Sequence, residues 1–407
     1  MSPRPRRPRI AVVSPFLDKS HGTERMVVEW ITKLSPEFEF HVYSQQVKDL
    51  DRACYAWHRI PKLKGPHLLN FLWWFAANHI WRWWDGRIRR LRCELVFSPG
   101  VNCVDADAVS VHIVFAEFLR RVATELKLRT APPRSWPILI HRNLYYRLIV
   151  ALERRVFTNP RTQLILTSPR TAAEIEHFYS RRERFPMVCA GIDHETFNPA
   201  HIAALRSAAR SEFRIAGNEF ALLLIGNDWR KKGLGTLLRS LLQMPDLPVR
   251  LLVVTRESEL AIRQALGESL IDPRVGVFAP RPDVEFFYAA ADVYTGPSLE
   301  DTFALPASEA MACGLPVIMS SRAGVSDFIT AGIDGLILDD PTDAATLASM
   351  IRSLYNDRGL RERLGARAVE TARQFSWEQN ARDLAAIFEQ IIRRKSGRQA
   401  QTLTQES

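Results

Sequence analysis

Residues 219–244 read EFALLLIGNDWRKKGLGTLLRSLLQM, and this stretch decides the fold. Its first part, EFALLLIG, is an unbroken apolar run of strand length, which is typical of a parallel strand buried on both faces. A basic loop with glycine follows, and the next part, GLGTLLRSLLQM, has the apolar spacing of a helix. Strand, loop and helix in this order open a βαβ unit. The stretch therefore predicts the first strand of a parallel sheet.

The same alternation runs through the whole chain in two series. Before the quoted stretch the strand candidates are RIAVVSPF, FEFHVYS, CELVFSPG, DAVSVHIVF and TQLILTS, and after it they are PVRLLVVT, VGVFAP, ADVYTGPS and LPVIMSS. Helix-length segments separate the strands, so each series predicts a doubly wound, Rossmann-like α/β domain. The predicted domains are 1–192 and 193–375, joined near AGIDHETFNP at 190–199. Residues 376–395 are predicted to form one more amphipathic helix, and 396–407 a polar, disordered tail.

Composition predicts a globular protein of the cytoplasm. The 407 residues are 46% hydrophobic and 25% charged, and the five cysteines are scattered without a CxxC pair. This pattern argues against a disulfide framework and a zinc site, and fits a reducing compartment. The apolar run after the basic start is too short for a signal peptide, and no run reaches the roughly 18 residues that a membrane-spanning helix needs.

The positive charge lies in the first half of the chain. The net charge is +10, but residues 1–193 hold 31 Lys and Arg against 18 Asp and Glu, which gives +13, and the remainder is slightly acidic. A basic surface attracts nucleic acid, a phosphorylated substrate or an acidic membrane. The chain shows no recognition-helix or base-stacking motif, so a nucleic-acid partner is not expected.

The segment PSLEDTFALPASEAMACGLPVI, at 297–318, is the sharpest candidate for a site. It predicts a strand end, a loop and a helix that begins near residue 303 or 304. A helix N-terminus offers free N–H groups and a positive dipole end, which suit a diphosphate. Those N–H groups would come from Phe303, Ala304 and Leu305. Glu309 would then point toward a ribose diol and Asp301 toward the hydroxyls of the group that the diphosphate carries; alternatively, the acidic residues only stabilise the helix.

This segment resembles the signature of family 4 glycosyltransferases, retaining enzymes of the GT-B fold, in which two Rossmann-like domains face each other across a cleft. In that signature two acidic residues, with seven residues between them, precede a run like AMACGLPV. Asp301 takes the first position, where glutamate is usual, and is preferred over Glu300; Glu309 takes the second. Ala304 replaces a usual glycine. The resemblance implies a nucleotide-sugar donor, and it implies that the last helix crosses back onto the N-terminal domain.

Other positions match the same family. In GNDWRKKG, Gly226 would let the backbone approach the donor and Lys232 would contact its diphosphate. Asn227 replaces an arginine that many relatives carry, so Arg230 or Lys231 would supply that contact. This run is closer to the lipopolysaccharide core glucosyltransferases, which favours UDP over GDP.

Three further matches complete the expected site. The resemblance implies that Phe278, Ala279 and Pro280 lie against the nucleobase, although ordinary packing at a strand end explains them equally well. In the first domain, Gly22 takes the place of a glycine-rich donor loop or is only a turn residue. His112 matches a histidine near the reacting sugar carbon.

The implied reaction needs no protein nucleophile and no cofactor. In a retaining transfer of this kind, the donor phosphate leaves from the face that the acceptor hydroxyl attacks, and a phosphate oxygen takes the acceptor proton. The enzyme must stabilise charge on the diphosphate, which Lys232 and a helix N-terminus do without metal. The string DAD at 105–107 is read as a chance match to a metal motif. The competing enzyme class, a GT-B epimerase or an inverting transferase, is disfavoured by the 301/309 pair.

The stretch NFLWWFAANHIWRWWDGRIRRLR, at 70–92, holds five of the ten tryptophans. Helical spacing predicts one face that packs on a sheet: Leu69, Leu72, Trp73, Ile80, Trp84, Ile88 and Leu91. It leaves a second group on other faces: Phe71, Trp74, Phe75, Trp81 and Arg82. Tryptophan beside arginine is typical of an interfacial anchor, so we predict contact with an anionic membrane at the inner face of the cytoplasmic membrane, where the acceptor would be lipid-linked. The basic region 116–155 would extend this surface. Burial of the rings in the core or a dimer contact is the rival interpretation.

Overall fold

The computed structural model describes residues 6–19, 22–122, 136–266 and 272–405. The chain divides into two compact units. The first comprises residues 1–189 together with 377–407, and the second comprises residues 190–376. The predicted boundary at 193 lies close to this division.

The first unit is built on a parallel six-stranded sheet with the order β5-β3-β1-β6-β7-β8. Its strands are β1 (Arg9–Val13), β3 (Glu39–Ser44), β5 (Tyr55–Arg59), β6 (Leu95–Pro99), β7 (Ala108–Val111) and β8 (Gln163–Leu166), beside a short pair β2 (Phe16–Leu17) and β4 (Gln46–Val47). Central β1 pairs Ile10 with Phe40 of β3 and with Leu95 of β6. Residues 10–13 are all buried, which is why the run has no polar alternation.

Helices connect these strands. They are α1 (Gly22–Leu34), α2 (His67–Arg87), α3 (Phe115–Val122), α4 (Trp136–Phe157) and α5 (Pro169–Tyr179). The last helix of the chain, α13 (Trp377–Gln405), also belongs to this unit, where Phe388 packs edge-on against Phe38 and Phe97. A disordered tail was predicted from residue 396, but the helix continues to Gln405 because its arginine, glutamine and alanine residues favour a helix.

The second unit repeats the architecture with the strand order β11-β10-β9-β12-β13-β14. Its strands are β9 (Phe220–Ile225), β10 (Val249–Val254), β11 (Val275–Phe278), β12 (Val293–Gly296), β13 (Val317–Ser320) and β14 (Leu336–Leu338). Its helices are α6 (Pro199–Glu212), α7 (Leu234–Leu242), α8 (Glu259–Leu266), α9 (Glu285–Ala290), α10 (Leu305–Ala312), α11 (Ala344–Asn356) and α12 (Arg358–Ala372). The stretch at 219–244 forms β9 and α7, so the sequence prediction for it is confirmed.

Helix α2 has its faces reversed relative to the prediction. Five residues of the face expected to pack on a sheet are exposed instead: Leu69, Leu72, Ile80, Trp84 and Ile88. Trp74, expected on an outer face, is only 1% exposed and lies in the core of the first unit. The predicted buried face is therefore wrong.

Polar contacts explain the reversal. The buried face of α2 carries Asp85, whose carboxylate accepts a hydrogen bond from Tyr43 at 2.9 Å and lies 2.6 Å from Nδ1 of His58. On the same face Arg82, also expected outside, is a buried side chain paired with both oxygens of Asp105 at 2.7 Å. Hydrophobic spacing assigns charged residues to the outer face of a helix. It cannot take account of partners on other elements that allow such residues to be buried. Buried polar groups are stable when they are paired in this way.

No helix in the described parts of the chain has the length and apolar character required to span a bilayer. Within the predicted basic region 116–155, Lys127, Arg129 and Arg134 lie outside the described residues.

Candidate functional site

In the second unit, the strand order reverses between β9 and its neighbour β12. In an open parallel sheet, the crevice beyond the carboxyl ends of two such strands is where ligands bind. The loop from Gly226 to Gly233 follows β9, and the loop from Pro297 to Ala304 follows β12. The positions singled out in GNDWRKKG and PSLEDTFAL therefore lie at one place in the sheet.

An ion pair joins the two loops. The Lys232 ammonium contacts a carboxylate oxygen of Asp301, and both side chains are largely buried, with 19% and 11% exposure. The other carboxylate oxygen of Asp301 accepts the Ala304 N–H at 3.0 Å. Between the backbones, the Leu299 N–H donates to the Lys231 carbonyl at 2.7 Å. The pair therefore places one cation and one carboxylate directly before the N-terminus of α10.

Two glycines make this approach possible. A Cβ at Gly226 would lie 2.5 Å from Cγ of Lys232, so the lysine stem passes through the space that a side chain would fill. Gly233 has φ +77°, and a Cβ there would lie 1.8 Å from the Pro297 carbonyl oxygen. Any other residue at Gly233 would push the two loops apart.

Helix α10 begins at Leu305, close to the predicted start, with Pro306 in its first turn. Ala304 precedes it in the left-handed conformation at φ +68°. This is the position where the resembling family usually has glycine, and a glycine would adopt this conformation without strain. The buried backbone of Phe303 continues into this turn, so Phe303, Ala304 and Leu305 form the helix start that the sequence predicted.

Glu309 faces the interior of the second unit. It is 3% exposed, and its carboxylate accepts a hydrogen bond from the Tyr288 hydroxyl at 2.7 Å. Burial, and next the charge of Glu309, raise the pKa of Tyr288 well above its ordinary value. Tyr288 keeps its proton and fixes the orientation of the carboxylate. Sequence reasoning missed Tyr288, because its place beside Glu309 comes from the packing of α9 near α10.

The other cations of the loop are held differently. The Arg230 guanidinium stacks on the Trp229 ring at 4.3 Å, and the Trp229 indole N–H donates to Glu257 at 2.7 Å. Lys231 Nζ lies 3.9 Å from Asp228, and both side chains are about half exposed. The pairing with Asp301 distinguishes Lys232 from Arg230 and Lys231.

Phe278, Ala279 and Pro280 lie at the carboxyl end of β11, two strands from β9. The Phe278 ring packs on Phe213 and Phe287, with centroids 5.0 and 5.9 Å apart, so it has the packing role that the sequence left open. Ala279 and Pro280 are exposed beyond the strand end.

Two of the predicted site residues lie in the first unit, one just after a strand of its sheet and one at the start of its first helix. His112 follows β7, is 8% exposed, and its Nε2 lies 3.0 Å from the Ser110 hydroxyl. Burial lowers the pKa of His112 to about 4, so the imidazole is neutral at neutral pH. Gly22 begins α1, and a Cβ there would meet no atom within 4 Å. Its lack of a side chain is not required by packing.

Across the described ranges, no three His, Cys, Asp or Glu side chains converge in the manner of metal ligands. The two aspartates of the string at 105–107 have protein partners. Asp105 pairs with Arg82 and lies 3.3 Å from His79, and Asp107 accepts from the Val96 N–H at 2.8 Å and from Lys395 at 2.7 Å.

Part of the second unit matches a family of known proteins. Residues 206–371, which hold every second-unit residue discussed above, match the family model described as Glycosyl transferases group 1. Curated relatives named D-inositol 3-phosphate glycosyltransferase include those of Corynebacterium kroppenstedtii, 31% identical over 60% of this chain, and Pseudarthrobacter chlorophenolicus, 30% identical over 56%. Each match spans 56% of the relative, little more than half of its length.

Solved structures match over nearly the whole chain. WaaG, a glycosyltransferase involved in lipopolysaccharide biosynthesis, is 20% identical, with a TM-score of 0.76 over 93% of this chain and 99% of WaaG. Sucrose-phosphate synthase from Thermosynechococcus elongatus is 19% identical, with a TM-score of 0.72 over 95% of this chain and 99% of the synthase. At such identity the likeness shows the fold, and it confirms the predicted class of two doubly wound α/β units of the GT-B type.

Proposed function

We propose that this chain, whose residues 206–371 match the family model described as Glycosyl transferases group 1, is a retaining hexosyltransferase. The donor is a nucleotide diphosphate sugar, with UDP preferred over GDP. The acceptor is lipid-linked or a saccharide, and the setting is cell-envelope or exopolysaccharide biosynthesis. The observation that carries the proposal is the buried Lys232–Asp301 pair at the reversal of strand order, directly before α10.

This arrangement suits a sugar diphosphate for electrostatic reasons. When a donor binds, the Lys232 ammonium exchanges the carboxylate of Asp301 for the diphosphate, and the N–H groups at the start of α10 add a second positive contact. Asp301 is then free to accept hydrogen bonds from the sugar hydroxyls. Charge that develops on the leaving diphosphate is stabilised by the same groups, and no metal is required.

Glu309 and His112 have roles that follow from their surroundings. Glu309, oriented by Tyr288, would accept from a ribose hydroxyl of the nucleotide. The neutral imidazole of His112 would contact the sugar near its reacting carbon. Because the ring is uncharged, it would not repel the positive charge that develops on that carbon. The retaining step itself remains internal to the substrates: the bond from the anomeric carbon to the phosphate breaks, the acceptor oxygen bonds to that carbon from the same face, and the phosphate takes the acceptor proton.

The names of the curated relatives support a second acceptor class, a phosphorylated polyol such as inositol 3-phosphate. The charge of +13 over residues 1–193 favours an anionic acceptor in either case, because a basic surface raises the local concentration of phosphorylated molecules.

The proposal is tested by measuring sugar transfer from UDP- and GDP-linked hexoses to inositol 3-phosphate, to oligosaccharides and to lipid-linked acceptors. Thermal stabilisation of the full chain by UDP, GDP and single-stranded DNA runs alongside. We expect turnover of at least one donor and stabilisation by its nucleoside diphosphate. Stabilisation by DNA alone would favour a nucleic-acid binder, and epimerised donor without transfer would favour the epimerase class; either result overturns the proposal.

The proposal includes association with an anionic membrane through α2. We define the outer stripe as Leu69, Leu72, Ile80, Trp83, Trp84 and Ile88, which recur at helical spacing and are 45–62% exposed. Tyr145 of α4 packs on Phe71 at 5.4 Å, so the two helices are in contact. The first half of α4 adds further exposed apolar side chains: Trp136, Ile138, Ile140 and Leu144.

The charges around the outer stripe support an anionic bilayer as its proposed occupant. Exposed lysines at 62 and 64 precede α2, and exposed arginines at 87, 89, 90 and 92 end and follow it. The only acidic residue between 60 and 92 is Asp85, which is buried. Apolar rings flanked by cations match the acyl boundary and the acidic headgroups of such a membrane. We expect the chain to sediment with phosphatidylserine vesicles and not with pure phosphatidylcholine vesicles; equal sedimentation with both would contradict the electrostatic part.

A further inference from the structure

Helix α3 begins three residues after His112 and has no capping side chain of its own. Val114 precedes the helix, and its carbonyl accepts the Phe118 N–H at 3.0 Å. The first N–H groups of a helix have no partner within the helix, and a valine side chain offers them no oxygen. These donors need an acceptor from another part of the chain.

Glu153 of α4 supplies that acceptor. One carboxylate oxygen accepts the Phe115 N–H at 2.8 Å, and the other accepts the Ala116 N–H at 3.0 Å. Glu153 is fully buried, and the Tyr179 hydroxyl at the end of α5 donates to the same carboxylate. A residue 38 positions away in sequence therefore caps α3.

The cap requires a carboxylate to be buried away from water. Burial raises the pKa of Glu153 to about 7, while the three hydrogen bonds that it accepts oppose this rise. Removing a carboxylate from water is unfavourable, and well-packed apolar residues in place of such a group often leave a fold as stable or more so. The arrangement is therefore better suited to holding one conformation of α3 than to adding stability.

We infer that Glu153 is a positioning residue: it fixes the first turn of α3 and, through the three-residue connection, the backbone that carries His112. The inference rests on the proposed function, in which His112 lies near the reacting sugar carbon. It assigns a role in the transfer to a residue that touches neither donor nor acceptor.

The test compares Glu153→Gln with the wild-type chain. Glutamine keeps the shape, but its NH2 group cannot accept from the second N–H. We expect hydrogen exchange to accelerate at the Phe115 and Ala116 amides and the ring ¹⁵N resonances of His112 to move. The kcat for transfer should fall about 10- to 100-fold, as for a displaced catalytic group, and the donor KM should change much less, because the proposed contacts to the donor's diphosphate and ribose belong to the second unit.

Glu117→Gln is the matched control. Glu117 lies on α3 and pairs with Arg120 and Arg121, so its loss leaves the start of the helix capped. We expect the control to keep the wild-type His112 resonances and kcat. If Glu153→Gln does not fold, Tyr179→Phe removes one of the three donors to Glu153, and we expect changes in the same direction but smaller.

Wild-type His112 resonances and wild-type kcat in Glu153→Gln, or in Tyr179→Phe where that variant replaces it, would overturn the inference. The resonance and exchange measurements do not depend on turnover. If the wild-type chain transferred no sugar, the proposed function would fail, while these two measurements would still show whether Glu153 positions His112.

Discussion

The exposed area of the outer stripe of α2 gives an expected free energy of membrane binding. Trp83 and Trp84 are 62% and 50% exposed, the largest rings of the stripe. A tryptophan side chain carries roughly 200 Å² of surface, so each ring presents about 100–125 Å² to solvent. At about 25 cal/mol per Å², full burial of both exposed portions is worth roughly 5.6 kcal/mol. Rings at headgroup depth remain partly hydrated, so we expect about half to three-quarters of this value.

The double substitution Trp83→Ser with Trp84→Ser should therefore weaken binding to anionic vesicles by about 3 kcal/mol or more, which corresponds to at least 100-fold in partitioning. Vesicle co-sedimentation at several lipid concentrations measures the partition coefficient. Sugar transfer to a water-soluble acceptor should be unchanged, because the two rings lie outside the residues assigned to the reaction.

Two controls separate the stripe from general surface hydrophobicity. Leu242→Ser with Leu260→Ser removes two apolar side chains of the second unit that are 51% and 64% exposed, and should leave partitioning unchanged. Trp74→Ser, by contrast, should destabilise the first unit, since this ring fills its core. Equal partitioning of wild type and the Trp83/Trp84 variant would refute the reasoning, and so would equal losses in the leucine control.

Three further predictions concern stability and cofactors. Ala304→Gly should raise the free energy of unfolding by about 0.5–1 kcal/mol, because glycine relieves the left-handed strain but adds freedom to the unfolded chain; urea denaturation measures this, and an unchanged or lower value would contradict it. Burial lowers the pKa of His41 and His58, so the unfolded chain takes up more protons and the stability of the first unit should be complete above about pH 6.5 and fall below it, by up to about 1.4 kcal/mol per pH unit and histidine. Tryptophan fluorescence in urea reports this unit, since nine of the ten tryptophans lie in it, and a pH-independent midpoint would contradict the sign. Transfer should survive EDTA at full rate, and its loss with recovery on adding a divalent cation would show that metal is required.

The sequence predicted the strands that are buried on both faces of a sheet. The central strands β1 and β9 are apolar throughout, since both faces of a parallel sheet are covered. Strands β5 and β14 lie at sheet edges and were not predicted. β5 reads YAWHR, whose polar residues face partial solvent, and β14 has three residues, too few for a periodic signal.

Helix α2 shows where periodicity fails. Its outward residues are more apolar than its inward ones, and the inward Asp85 and Arg82 pair with residues on other elements. A single sequence does not show such partners. An apolar stripe on a helix can pack in the protein core or, if it faces outward, contact a membrane. Hydrophobicity alone does not distinguish these two cases.

The candidate site was predictable to the extent that it follows strand ends. The family resemblance assigned Lys232 and Asp301 to one donor site. The reversal of strand order between β9 and β12, which brings their two loops together, is known only from the structure. The contacts of Glu309 with Tyr288 and of the start of α3 with Glu153 were not predictable, because packing between helices creates them.

The most direct test of the central claim is the rate of sugar transfer by Asp301→Ala and Glu309→Ala, measured beside Glu300→Ala. We predict that each of the first two variants loses about 100-fold or more in kcat/KM, because each removes a contact to the donor, while Glu300→Ala retains most of the activity. Circular dichroism and thermal unfolding of each variant verify that the fold persists. Full activity in both Asp301→Ala and Glu309→Ala would contradict the placement of the donor site.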